Sequence, residues 1–253
     1  MVMSLEGKAV LVTGAAKRIG RSLALTVARL GGDVVVHYGG SKIEAESLAF
    51  EIEALGRRVR LIQADLSDPE QAASLVPQAL EDGPLFALIN NASIFEPLDW
   101  HSVSLETWNR HLMINLTAPF LLSQAFASGL QAGGLQAGSL ADGDHGRIIN
   151  LLDWRALRPG ADHLPYTISK AALAALTRSL AQALAPRITV NGLALGAILP
   201  PSDGGAAERV IENVPARRWA RLEEVEQALS FFLTGPEYVT GEIIHIDGGR
   251  HLV

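Results

Sequence analysis

The chain of 253 residues is 48% hydrophobic and 19% charged, which supplies ample apolar material for a folded core and excludes disorder as the default. It has no cysteine, so a disulfide scaffold and a cysteine-held zinc or iron–sulfur site are excluded. Its 27 acidic residues against 21 basic ones leave a net charge of −6, which would repel a phosphate backbone and argues against nucleic acid as a partner.

The opening M-V-M-S-L-E-G-K-A-V-L-V-T-G has no basic lead, and its apolar run is too short for a signal sequence. No later stretch reaches the roughly 18 apolar residues of a membrane span. A cytoplasmic protein without a membrane partner is expected. Ala9–Val12 is the first of seven apolar, β-branched runs, followed by Val34–Val36, Val59–Ile62, Leu85–Ile89, Ile148–Leu152, Ile188–Val190 and Ile243–Ile246. Their near-continuous apolarity is what strands of a parallel sheet covered on both faces require. The amphipathic stretches between them read as helices. Ser41-Lys42-Ile43-Glu44 and Ser67-Asp68-Pro69-Glu70 have the spacing of a capping box, with Ser accepting from a first-turn amide and Glu reaching back. This alternation, without a linker or repeat, predicts one doubly wound α/β domain over residues 1–253. The expected architecture is Rossmann-like, with seven parallel strands and helices on both faces. Two stretches interrupt the pattern. Residues 129–146, crowded with Gly, Ala, Gln and Asp, are expected to be a flexible surface loop. Residues 196–213, rich in Pro and Gly at the start, form either a substrate lid or an ordinary connection.

Directly after the first run comes Thr13-Gly14-Ala15-Ala16-Lys17-Arg18-Ile19-Gly20 and then a helical stretch. Glycine permits the tight turn and lets backbone approach a pyrophosphate, while the unpaired amides at the helix start attract the anion. Tyr166 and Lys170 stand four apart at the head of another helical run, so both side chains share one face. An ammonium near a tyrosine favours the phenolate and brings its pKa down from about 10 toward a working range for proton transfer.

The glycine turn, Asp65 after the third run, Asn90-Asn91-Ala92 after the fourth, Asn115, the Tyr166/Lys170 pair and Asp247-Gly248-Gly249 occur in an order that resembles the short-chain dehydrogenase/reductase family over nearly the whole chain. The resemblance implies an oxidoreductase in which Asn115, Tyr166 and Lys170 are catalytic. It also implies a dinucleotide held by Gly14, Lys17, Arg18, Ile19, Gly20, His37, Tyr38, Ser41, Asp65, Leu66, Asn91, Ala92, Ser93, Tyr166, Lys170, Gly196 and Ile198. A homotetramer is implied by the same resemblance. Most of the family has a serine donor thirteen residues before the tyrosine, and here that residue is Asp153. An ionised carboxylate only accepts hydrogen bonds, so Asp153 argues against ordinary ketone reduction and suits a substrate protonated on nitrogen.

Arg18 stands where the turn usually has a glycine, and Asn91-Ala92-Ser93-Ile94-Phe95 sets an aromatic beyond the fourth strand. These features resemble the pteridine reductase subgroup, in which a flat heteroaromatic substrate stacks against such a phenylalanine. The implied substrate pocket is Arg18, Ser93, Phe95, Asp153 and Tyr166. At the end of the second strand, His37-Tyr38-Gly39-Gly40-Ser41 carries no carboxylate to guard ribose hydroxyls, so NADPH is the expected cofactor, with Arg18 and Ser41 toward its extra phosphate. Gly40 replaces an arginine of the subgroup. A small-molecule partner, a pterin or folate, is therefore expected. Two alternatives stand beside it: a general carbonyl or 3-oxoacyl thioester reductase, and a non-catalytic NADP-binding regulator. No metal site is expected, because the histidines lack H-x-x-x-H pairing and cysteine is absent.

Overall fold

The computed structural model describes residues 4–132, 145–199 and 207–253. Seven strands, β1 (Ala9–Val12), β2 (Asp33–Tyr38), β3 (Val59–Gln63), β4 (Leu85–Asn90), β5 (Gly146–Asp153), β6 (Ile188–Leu195) and β7 (Ile243–Ile246), form one sheet. Its order is β3-β2-β1-β4-β5-β6-β7, and every neighbouring pair is parallel. The chain reverses its direction of winding between β1 and β4, which opens a crevice at their carboxyl ends, the place where an open α/β sheet binds ligands. Each expected strand forms, most of them longer by one to five residues.

Eight α-helices occur among the described residues: α1 (Arg18–Arg29), α2 (Lys42–Ala54), α3 (Pro69–Ala79), α4 (Leu105–Leu112), α5 (Ala118–Ala132), α6 (Leu164–Leu184), α7 (Ala207–Glu212) and α8 (Leu222–Thr234). Alternation along β1 divides its side chains between two cores. Val10 and Val12 pack with Leu23 and Val27 of α1, Leu48 and Ile52 of α2, and Leu229 and Phe232 of α8. Leu11 points the other way, toward Leu75 and Val76 of α3 and Leu122 and Phe126 of α5. At about 1.5–3 kcal/mol for each fully buried large aliphatic or aromatic side chain, these two layers supply the main stabilisation.

The helix starts differ from the sequence expectation. Ser41 makes no side-chain cap to α2, and Glu44 instead pairs with Lys17 at 2.6 Å. At α3 the cap is Asp68, one residue later than expected, and its carboxylate accepts from the amides of Glu70 and Gln71. Pro69 at the first helical position makes this register the natural one, because proline needs no amide partner there. Helix α5 continues to Ala132 and β5 begins at Gly146, so both ends of the expected 129–146 loop are regular. Residues 133–144 lie outside the described residues, as do residues 200–206 of the expected lid.

A polar ladder crosses the centre of the sheet. Asn90 Nδ2 donates to Asn150 Oδ1 at 2.8 Å, Asn150 Nδ2 donates to Thr177 Oγ1 at 2.9 Å, and Thr177 donates to the Leu173 carbonyl at 2.7 Å. All three side chains are buried, so the ladder sets the register of β4, β5 and α6 relative to one another.

Candidate active site

The glycine turn is clamped from both sides. On the β2 side, Gly14 donates its amide to His37 Nδ1 at 3.0 Å, and His37 Nε2 donates to the Ala64 carbonyl at 3.0 Å. That pairing requires the neutral imidazole with its proton on Nε2, and burial holds the His37 pKa below the ordinary histidine value. On the β4 side, Thr13 Oγ1 accepts from the amides of Asn91 and Ala92, while Asn91 Nδ2 donates to the carbonyls of Thr13 and Gly14. Gly14 has a φ of +60°, and a side chain at Gly20 would overlap the Gly14 carbonyl, so both glycines are dictated by geometry. Arg18 adopts φ +52° at the first residue of α1, a left-handed conformation that explains the usual preference for glycine there.

Next to the turn, a cavity of about 570 Å³ opens at Gly39, Gly40, Gln63, Ala64, Asp65 and Gln71. A side chain at Gly40 would meet nothing within 4 Å, so the rim at the end of β2 is open. Asp65 directs its carboxylate to the amide and hydroxyl of Ser67 at 2.8 and 2.7 Å. Leu66, Tyr38 and Ile198 are buried, and Gly196 lies so close to Asp247 that a Cβ would come within 2.6 Å of its Cα. Of the expected cations, Lys17 is engaged by Glu44, and the neighbouring Lys42 faces Glu46 at 3.8 Å. Backbone amides at the start of α1 and an open, cavity-bearing rim at the end of β2 fit a dinucleotide.

The proton-handling groups gather where β5 meets α6. Tyr166 donates its hydroxyl to Asp153 Oδ2 at 3.1 Å, and Asp153 Oδ1 accepts from the Arg155 amide at 2.9 Å. Lys170 donates to the Leu151 carbonyl at 2.7 Å. That is its single hydrogen bond among the described residues, so a buried ammonium retains two donors that match ribose hydroxyls. Burial pushes the Asp153 carboxyl up, partly offset by Arg155, and lowers Lys170 to about 8. From sequence, Lys170 is expected to lower the Tyr166 pKa. Instead burial, reinforced by the adjacent Asp153, holds the tyrosine well above its ordinary value. Lys170 Nζ is 5.7 Å from the ring centroid, and its influence is outweighed.

Asn115 sits in a widened turn, Met113–Thr117, between α4 and α5. Its Oδ1 accepts from the Ile94 amide and the Ser93 hydroxyl, and its Nδ2 donates to the Ile94 carbonyl and to Ser169 Oγ. Asn115 therefore ties the loop carrying Ser93 and Phe95 to the helix carrying Tyr166. Phe95 is 53% exposed and meets Tyr166 edge-on, with ring centroids 4.6 Å apart. One of its faces is covered by His163, stacked at 4.0 Å. His163 was not foreseeable from a motif; its left-handed backbone, φ +53°, just before α6 turns the ring onto Phe95. Arg155 was equally silent, yet it links Asp162 at 2.8 Å to the faces of Trp154 and Phe95.

Among the described residues no helix is long and apolar enough to cross a membrane. The family model for short chain dehydrogenases matches residues 8–209. A 3-oxoacyl-[acyl-carrier-protein] reductase of Synechocystis is 30% identical over 97% of this chain and 98% of its own length. The alternative dihydrofolate reductase 1, FolM, of Brucella canis, solved with NADP, superposes with a TM-score of 0.87 at 34% identity, covering 99% of this chain and 97% of its own. A blue fluorescent protein from a metagenomic library, solved with NADPH, gives 0.87 at 36% identity over 98% of this chain and 99% of its own. With the glycine turn, the Tyr166/Lys170 pair and the sheet order all in place, the chain belongs to the short-chain dehydrogenase/reductase family.

Proposed function

We propose that the protein is an NADPH-dependent reductase of pterin-type substrates, taking a dihydropterin or dihydrofolate to the tetrahydro form. The observation that carries this reading is the part-buried Asp153–Tyr166 hydrogen bond beside the half-exposed Phe95. The FolM structure, an alternative dihydrofolate reductase solved with NADP, supports both the substrate class and the cofactor.

NADPH, when bound, supplies the hydride. The amides at the start of α1, at Ile19 and Gly20, would hold its pyrophosphate, and Lys170 its ribose hydroxyls. Half-exposed Phe95 offers ring surface to a flat heteroaromatic, a stacking gain on the order of 0.5–1.5 kcal/mol beyond area burial. Tyr166, with its pKa held high, stays protonated and can act as an acid toward a ring nitrogen. Asp153, its own pKa raised by burial, accepts a hydrogen bond from the tyrosine hydroxyl in the resting state and, when protonated, can resupply a proton along the same contact. A serine there could donate to a ketone oxygen but could not take part in such an exchange with a nitrogen acceptor at neutral pH.

A second reading, reduction of a 3-oxoacyl thioester, is favoured by the Synechocystis relative. NADPH oxidation followed in parallel with dihydrobiopterin, dihydromonapterin, dihydrofolate and a 3-oxoacyl thioester tests the choice. The pterin reading expects the highest kcat/KM for one of the first three; a preference for the thioester would replace it with the second.

A further inference from the structure

Beside the Asp153–Tyr166 pair, a cavity of about 650 Å³ is lined by Trp154, Arg158, Glu212, Asn213, Arg217 and Arg250, among others. Three arginines face one glutamate there. Among the described residues, none of the three forms an ion pair, whereas nearby Arg155 and Arg218 each hold a carboxylate, at 2.8 and 2.7 Å. The Arg250 guanidinium makes one hydrogen bond, from Nη1 to the Val210 carbonyl at 3.1 Å, and leaves its other donors available. Arg217 adopts a left-handed φ of +54°, fixed by its own amide on the Val214 carbonyl and by Ala216 on Gly248. A side-chain-bearing residue kept in that conformation marks a place where the surroundings impose a position at some energetic cost.

Trp154, which lines the cavity, directly follows Asp153 in the chain. The guanidinium of Arg155 lies 5.6 Å from the Phe95 ring centroid and 4.7 Å from that of Trp154, and Arg250 lies 4.4 Å from Trp154. Phe95, Arg155, Trp154 and Arg250 thus make an unbroken row of flat surfaces from the ring platform to the unpaired cations. We propose that this cavity receives the acidic tail of a folate-type substrate, an aryl amide ending in carboxylates, with Arg217 and Arg250 taking the charges and the exposed Arg158 adding to the field. The proposal rests on the pterin reading and sharpens it: the ring lies on Phe95, the aryl group runs along Arg155 and Trp154, and the carboxylates meet planar guanidinium donors. A pterin with a short neutral side chain leaves these arginines without a partner.

The test compares dihydrofolate with dihydrobiopterin in the unmodified enzyme, Arg217→Ala and Arg158→Glu, alongside calorimetric binding of p-aminobenzoylglutamate to the NADPH-loaded proteins. Arg158 is exposed, so its variant covers the case in which Arg217→Ala disturbs its turn. Each substitution is expected to raise the dihydrofolate KM by roughly tenfold, the scale of a lost charge-assisted hydrogen bond, and to leave dihydrobiopterin kinetics within about twofold. The fragment is expected to bind the unmodified protein and to weaken in parallel. An unchanged dihydrofolate KM, an equal rise for both pterins, or no binding of the fragment to the unmodified protein overturns the proposal. If neither pterin is reduced, the pterin reading has failed, and fragment binding alone decides the cavity. Loss of oxoacyl-carrier turnover in the variants, with no fragment binding, assigns the arginines to an acidic carrier and overturns it as well.

Discussion

The two halves of the cleft are built on different principles. On the cofactor side, from β1 to β3, hydrogen bonds within the protein engage the polar groups that shape the turn: His37 is occupied on both nitrogens, Thr13 accepts twice, and Asn91 donates twice. On the substrate side, from β5 to β7, charge and aromatic surface are left over. Arg158, Arg217 and Arg250 line a cavity without forming an ion pair among the described residues, and Phe95, reaching in from the loop after β4, is half-exposed. A ligand common to a whole family can be met by a rigid, self-satisfied backbone, whereas a particular substrate needs side chains whose partners arrive only with it.

If this division is right, the heaviest loss comes from removing a group that acts on the reacting atoms. Tyr166→Phe is expected to lower kcat by about 10²-fold or more, the scale of general acid catalysis, while NADPH affinity holds. Single-turnover kinetics with a parallel fluorescence titration separates the two; retention of most turnover would remove Tyr166 from the acid role. Asp153→Ser comes next, with pterin kcat/KM expected to fall by at least about tenfold. Residual carbonyl reductase activity should hold or rise, since a hydroxyl donor replaces a like charge near a forming alkoxide. The same substitution removes a buried carboxyl whose folded pKa is raised, a group that stabilises at low pH and loses that contribution as pH rises through the folded value. Asp153→Ser should therefore gain Tm relative to the unmodified protein as pH increases above the ordinary aspartate range.

A smaller effect on the other half tests whether the turn depends on a neutral imidazole. His37 has a depressed pKa in the folded protein, so its contribution is present above its ordinary value near 6.5 and is lost as pH falls. Tm is expected to decline below about pH 6.5 in the unmodified protein, and NADPH affinity only at lower pH, where the buried imidazole itself takes up a proton. His37→Gln preserves an acceptor for Gly14 and a donor for Ala64 without a titratable group, and should flatten that dependence; an equally steep fall in the variant would exclude His37 as its source. The mildest change is Phe95→Ala, expected to raise the pterin KM by a few fold, from the loss of about 0.5–1.5 kcal/mol of stacking, with kcat close to unchanged. Steady-state kinetics on dihydrobiopterin reads it directly, and an unaltered KM would mean that the ring stacks elsewhere.

The same contrast governs what could be read from the sequence. The strands were legible because a sheet buried on both faces demands unbroken apolar runs, and the glycine turn because Gly14 and Gly20 satisfy steric demands that few other residues meet. Asp153 was legible through its register with Tyr166. The capping boxes were not, since at α2 Glu44 is drawn to Lys17 by a tertiary pairing that no local pattern marks, and at α3 Pro69 moves the cap from Ser67 to Asp68. Nor were His163, Arg155 or the arginine-lined cavity. Trp154, Arg217 and Arg250 come together only through folding, from segments separated by more than thirty residues along the chain, and no local pattern marks them.

The polar ladder through Asn90, Asn150 and Thr177 has a consequence for how such enzymes diversify. Asn150 is locked three residues below Asp153 on the same strand, and Thr177 two turns beyond Lys170 on the same helix. Whatever side chain stands at position 153 inherits a Cα set opposite Tyr166 by anchors that do not touch the substrate. The chemistry at the strand tip can then be exchanged by one codon while the spacing to the acid is conserved from beneath, so a change of substrate class need not wait for the scaffold to be rebuilt.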